Sequence, residues 1–151
     1  MVQRVYVDTS VIGGYFDEDL EFYTKLFFEK VDSGRYKILL SDILSSELKN
    51  APERVLRFYQ SLPKAQIEFV DQTYDSIQLA EEYLNAGVVG RTSRTDCWHI
   101  ALATLANADI LVSWNFKHIV NVNRIRGYNS VNIRYGHRIL EIRSPREIIE
   151  L

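Results

Sequence analysis

Short apolar runs alternate along the chain with longer stretches whose apolar residues lie three and four apart. Residues 4–8, RVYVD, read as a first strand that ends on a carboxylate. TSVIGGYF then reads as a short turn and helix, with Gly13 and Gly14 allowing tight backbone. Residues 19–34 place Leu20, Phe22, Tyr23, Leu26, Phe27 and Val31 at helical spacing and stop at Gly34. YKILLS, 36–41, is a second strand. Ser41 or Asp42 caps a helix reaching about Asn50, and Pro52 opens the next, PERVLRFYQSL. Residues 66–71 form a third strand and 73–87 a helix closed by Gly87. A long helix is expected over 92–108 and a fourth strand over 109–114. Residues 116–129 read as helical in their first half, 138–143 as a fifth strand, and PREIIEL as a last helix.

Strands and helices in alternation predict an α/β fold, with a central parallel sheet of about five strands covered on both faces. The length, 151 residues, suits one domain over 1–151. In such sheets ligands gather at the carboxyl ends of the strands, where the strand order reverses. Four oxygen-bearing side chains fall at such places: Asp8 after the first strand, Glu47 in the helix after the second, Asp96 early in the 92–108 helix, and Asn115 after the fourth strand. Each has a simpler role alone. Asp8 suits a helix cap, Glu47 a surface helix, Asp96 a helix dipole and Asn115 a turn. Together, carboxylates with no clustered Cys or His point to Mg²⁺ or Mn²⁺. The one cysteine, Cys97, has no partner for an internal disulfide.

The set resembles the PIN domain, a nuclease fold that includes the toxin subunits of VapBC-type toxin–antitoxin pairs. VYVDTSV, SDILSSEL, RTDCWHIALATLANADILVSWNFKHI and the closing SPREIIE carry the resemblance over nearly the whole chain. It implies a three-layer α/β/α fold, a pocket for one or two Mg²⁺ or Mn²⁺ ions, and hydrolysis of single-stranded RNA to 5′-phosphate and 3′-hydroxyl ends. The family's acids map on Asp8, Glu47 and Asp96, and Ser10 matches a supporting hydroxyl. Where the family often has a fourth Asp, this chain has Asn115. The implied roles are Asp8 and Asp96 as principal ligands, Asn115 completing or orienting the shell, and Glu47 binding a second metal or positioning water. The lost charge at Asn115 motivates an alternative, a catalytically weak PIN domain acting as an RNA- or protein-binding module.

Charge sharpens the substrate expectation. Net charge is −2, but residues 117–151 hold seven Lys and Arg against three Glu, leaving 11 basic and 17 acidic residues ahead of them. A basic quarter beside an acidic body suits a polyanion approaching a metal site. Arg91, Arg94, Lys117 and His118 are the candidate RNA-binding residues; for Arg94 an internal pair with an acid is the competing role. His99, Trp98 and Trp114 are expected to pack. The aromatic surplus of Phe22–Phe28 suggests a homodimer or an antitoxin surface. No apolar run approaches ~20 residues and no signal peptide pattern is present, so a cytoplasmic location is expected. Ser10 in place of a second Asp argues against a haloacid-dehalogenase-like phosphatase, no acidic pair at a strand end supports a phospho-acceptor receiver domain, and the first loop lacks the glycine pattern of a dinucleotide binder.

Overall fold

The computed structural model describes residues 2–151. The elements are β1 (Gln3–Val7), α1 (Thr9–Gly14), α2 (Glu21–Asp32), β2 (Tyr36–Ser41), α3 (Asp42–Glu47), α4 (Glu53–Ser61), β3 (Ile67–Val70), α5 (Tyr74–Asn85), α6 (Arg94–Leu105), β4 (Ile110–Val112), α7 (Val122–Arg134), β5 (Glu141–Arg143) and α8 (Pro145–Glu150). The five strands form one parallel sheet in the order β3-β2-β1-β4-β5. From β1 the chain builds outward through β2 to β3, then returns to the other side of β1 for β4 and β5. The order therefore reverses between β1 and β4, where Val7 pairs with Val112.

Both faces of the sheet are covered, which makes it a three-layer α/β/α fold of PIN-like type. Val5, Val7, Ile38, Leu40, Ile110 and Val112 pack on one side with Ile12, Phe27, Phe28 and Ile148 from helices α1, α2 and α8. Tyr6, Leu39, Leu111 and Ile142 face the other way, against Leu79, Tyr83, Ile100, Ala103 and Tyr128 from α5, α6 and α7. Strand residues thus alternate between two apolar layers, so β1, β2 and β4 read as nearly unbroken apolar runs. Of the α2 aromatics, Phe27 and Phe28 enter the core, Tyr23 bonds Glu150, and Phe22 stays 66% exposed.

One expected element lies elsewhere. The first half of 116–129 is turn, and the helix is α7, Val122–Arg134. Side-chain capping sets this boundary. The Asn115 backbone carbonyl collects the N–H groups of Ile119 and Val120, closing a turn, and the Asn121 side chain then accepts from the N–H groups of Asn123 and Arg124 to start the helix. Strands β4 and β5 are shorter than their apolar patterns suggested, three residues each. Ser41 is the cap of α3, through the Leu44 N–H. Among the described residues no helix is long and apolar enough to cross a membrane.

A close approach anchors the end of β4. A Cβ on Gly14 would lie 2.8 Å from Trp114 Nε1 and 3.0 Å from Thr24 Oγ1, the two atoms that bond each other at 2.9 Å. Gly13, beside it, has open space. Gly14→Ala is expected to destabilise the protein by about 1–3 kcal/mol, whereas Gly13→Ala is expected to stabilise it by roughly 0.5–1 kcal/mol. Urea unfolding of the two variants reads the contrast directly.

Candidate active site

Asp8 stands at the N-cap position of α1, yet its side chain caps nothing. One carboxylate oxygen meets α1 and the other the exit of β4. Ser10 Oγ donates to Oδ1 at 2.6 Å and Ser113 Oγ donates to Oδ2 at 2.6 Å. Each hydroxyl in turn accepts a backbone N–H, Trp114 on Ser10 and Asn115 on Ser113, both at 2.9 Å. Because the two oxygens already accept from the backbone, their own hydrogens point at the carboxylate. Asp8 is 5% exposed and held from both sides at the crevice where strand order reverses.

The other acids reach the same edge. Asp96 lies in the first turn of α6, where the helix dipole favours a carboxylate. Glu47 closes α3, and its Oε1 accepts from Thr9 Oγ1 at 2.6 Å and meets His99 Nε2 at 2.8 Å. The Asn115 amide sits between Asp96 and the turn after β4. Its Nδ2 lies 3.4 Å from Asp96 Oδ1, and its Oδ1 accepts the His118 N–H at 3.0 Å. The carbonyl oxygen that would bind a cation is thus engaged with backbone, and the amide hydrogen faces the acid.

The charges are coupled. Burial pushes Asp8 above the usual carboxylate range; the His99 side chain and the two serine hydroxyls oppose this, and Asp96 adds to it. Burial likewise raises Asp96, with His118 and His99 opposing and Glu47 reinforcing. For Glu47 burial acts upward too, but the bonds from His99 and Thr9 outweigh it, leaving its pKa below the usual range. Three acids therefore share one electrostatic neighbourhood, two of them resisting ionisation. Burial pushes the Cys97 thiol up to about 12, which removes it as a nucleophile.

Among the described residues no three His, Cys, Asp or Glu side chains stand close enough to hold a metal ion as they are. The donor chemistry fits a hard cation all the same. Mg²⁺ commonly keeps several waters and takes only one or two carboxylates from a protein. Asp8 and Asp96 are two such carboxylates, one buried and one half-buried, mutually repelling and relieved by an added positive charge.

The candidate RNA-binding residues have different surroundings. Arg91, in the turn before α6, and Lys117, after Asn115, are exposed. His118 is half-buried with its charge felt by Asp96, and its Nδ1 is buried without a hydrogen bond. Arg94 pairs with Glu81 of α5, the internal role its sequence allowed. Beside Glu47 opens a cavity of about 440 Å³ between α3 and α6, with Trp98 and Thr95 on one side and Ser46 and Gln72 on another. Two participants escaped sequence reasoning. Ser113 is the polar residue that follows the apolar β4, opposite Asp8, and that break in an apolar run was its only signal. His99 was expected to pack, and it is buried, but both its ring nitrogens are hydrogen-bonded.

The fold has solved counterparts. VapBC2 from Rickettsia felis, in a crystal structure bound to a DNA fragment from their promoter, superposes with a TM-score of 0.59 at 14% identity, covering 94% of this chain and 98% of that one. Tyrosyl-tRNA synthetase from Aeropyrum pernix superposes with a TM-score of 0.50 at 11% identity, covering 95% of this chain and 53% of that one. At such identities the likeness is one of fold. No protein-family model and no curated protein sequence matches the chain.

The raised carboxylates make a pH prediction. A carboxyl whose folded pKa lies above its unfolded value favours the fold when protonated, and that contribution is lost as pH rises from the unfolded value through the folded one. Asp96→Asn removes one such charge. Its melting temperature relative to wild type is expected to climb between pH 4 and 7, by about 2–4 °C for each kcal/mol relieved. Mn²⁺ is expected to raise the melting temperature of wild type and not of the variant, which thermal melts across that range would read.

Proposed function

We propose that the protein is a PIN-type ribonuclease that hydrolyses single-stranded RNA with Mg²⁺ or Mn²⁺. The observation that carries this reading is the gathering of Asp8, Asp96 and Glu47 at the strand-order reversal, in one coupled, partly buried group. The PIN-like motifs and the VapBC2 likeness of the fold support it. They also support a toxin's role, with an antitoxin protein as partner.

Asp8 and Asp96 would hold the cation. Bound there, the ion would lower the pKa of a water and neutralise phosphoryl charge in the transition state. The protein's own groups do the rest. Ser10 and Ser113 aim the Asp8 carboxylate and oppose the effect of burial on its ionisation. Asn115 donates toward Asp96 without adding a fourth negative charge, which favours one cation over two. Glu47, ionised and with Oε2 outside its bonds to Thr9 and His99, is placed to orient the attacking water or take its proton. The water oxygen loses a proton to Glu47 or solvent and bonds to phosphorus, the bond from phosphorus to the 3′ oxygen breaks, and that oxygen takes a proton from solvent and leaves as a hydroxyl. Arg91 and Lys117 supply positive charge for flanking phosphates, with His118 beside Asp96.

Incubation of a mixed single-stranded RNA pool with Mn²⁺ tests this. Wild type is expected to cut, with at least about 100-fold loss in Asp8→Asn and Asp96→Asn and none remaining in EDTA. Cleavage that persists in both variants would sink the proposal. RNA binding without any cleavage would favour the binding-module reading, which the amide at Asn115 motivates.

A further inference from the structure

A chain of polar contacts runs from the middle of the sheet to the active-site edge. Tyr6, fully buried in β1, places its hydroxyl 2.7 Å from His99 Nδ1. His99, 3% exposed in α6, places Nε2 2.8 Å from Glu47 Oε1. Around these two rings the layer is apolar, with Leu39, Ile100 and Ala103 in the same cluster. We propose that Tyr6 and His99 form a buried strut that sets the position of the Glu47 carboxylate, which makes His99 a positioning residue of the site. The inference rests on the reading of Glu47 as an active-site group.

The hydrogens on this chain have a consistent direction. Burial holds the Tyr6 phenol protonated. Tyr6 therefore donates to His99 Nδ1, which leaves the Nε2 hydrogen to donate to Glu47. Thr9 donates to the same carboxylate oxygen, so Oε1 is fixed and Oε2 carries neither bond. The strut thus reaches α3 at its last residue, Glu47.

Stability alone does not call for this arrangement. An apolar pair would fill the same space without buried polar groups. Glu47 also closes a helix, where the dipole disfavours a carboxylate, and a side chain 37% exposed would otherwise sample several rotamers. The two bonds on Oε1 overcome both tendencies and keep one conformation.

A double-mutant cycle in the full chain tests the strut. His99→Leu is expected to lower kcat on RNA about 10–100-fold, with KM unchanged, and His99→Gln, which keeps a donor at that reach, to recover most of it. Tyr6→Phe is expected to fall between. The decisive readout is the Glu47→Gln background, where His99→Leu is expected to have no further effect. A His99→Leu protein that retains wild-type kcat, or loses as much in the Glu47→Gln background, overturns the proposal. If His99→Leu does not fold, Tyr6→Phe completes the same cycle. If wild type cuts no RNA, crystal structures of wild type and His99→Leu read the Glu47 side chain directly. One ordered rotamer in wild type and several in the variant uphold the strut although the nuclease reading fails, and the same single rotamer in both overturns it.

Discussion

The site depends on a pair of serine hydroxyls that join a buried carboxylate to the backbone beyond a neighbouring strand. Asp8 is almost wholly out of water, where an ionised carboxyl is costly unless it is hydrogen-bonded. Ser10 and Ser113 meet that need, and each is oriented by an N–H of the segment that follows β4. The same four bonds hold β4's exit against the start of α1. The position of Asn115, and through it the turn that carries Lys117 and His118, follows from how Asp8 is solvated.

Around that anchor each acid has a different support. Asp96 has the first turn of α6 and an amide neighbour. Glu47 has a threonine and a histidine. These environments push Asp8 and Asp96 in one direction and Glu47 in the other. Divergent environments within one group of carboxyls are how a single edge acquires groups suited to different tasks. The fold supplies the meeting place, since the strand exits of β1 and β4 are adjacent although about a hundred residues separate Asp8 from Ser113 in the chain.

The three-layer architecture was legible because parallel strands buried on both faces leave dense apolar runs, and caps such as Thr73 and Ser144 mark the helices between them. The acids were legible through their order and their places at strand ends. What the sequence concealed was partnership. His99 reads as a core position because it is one, and its polar contacts come from residues 93 and 52 positions away. Ser113 follows an apolar strand, as many serines do, and nothing local says that its hydroxyl faces Asp8. The start of α7 was misplaced because the apolar pattern after Phe116 is compatible with a helix, while the side chains of Asn115 and Asn121 close a turn there instead.

Asn115 also bears on how far this site is from a more acidic one. Asparagine and aspartate codons differ by one base. An aspartate there would still accept the His118 N–H, so the turn would survive the exchange. What would change is the contact with Asp96, from a donor facing an acceptor to two like charges. On the one-cation reading, such a site would call for more compensating positive charge than the present one. A single nucleotide thus separates an edge with three carboxylates from one with four.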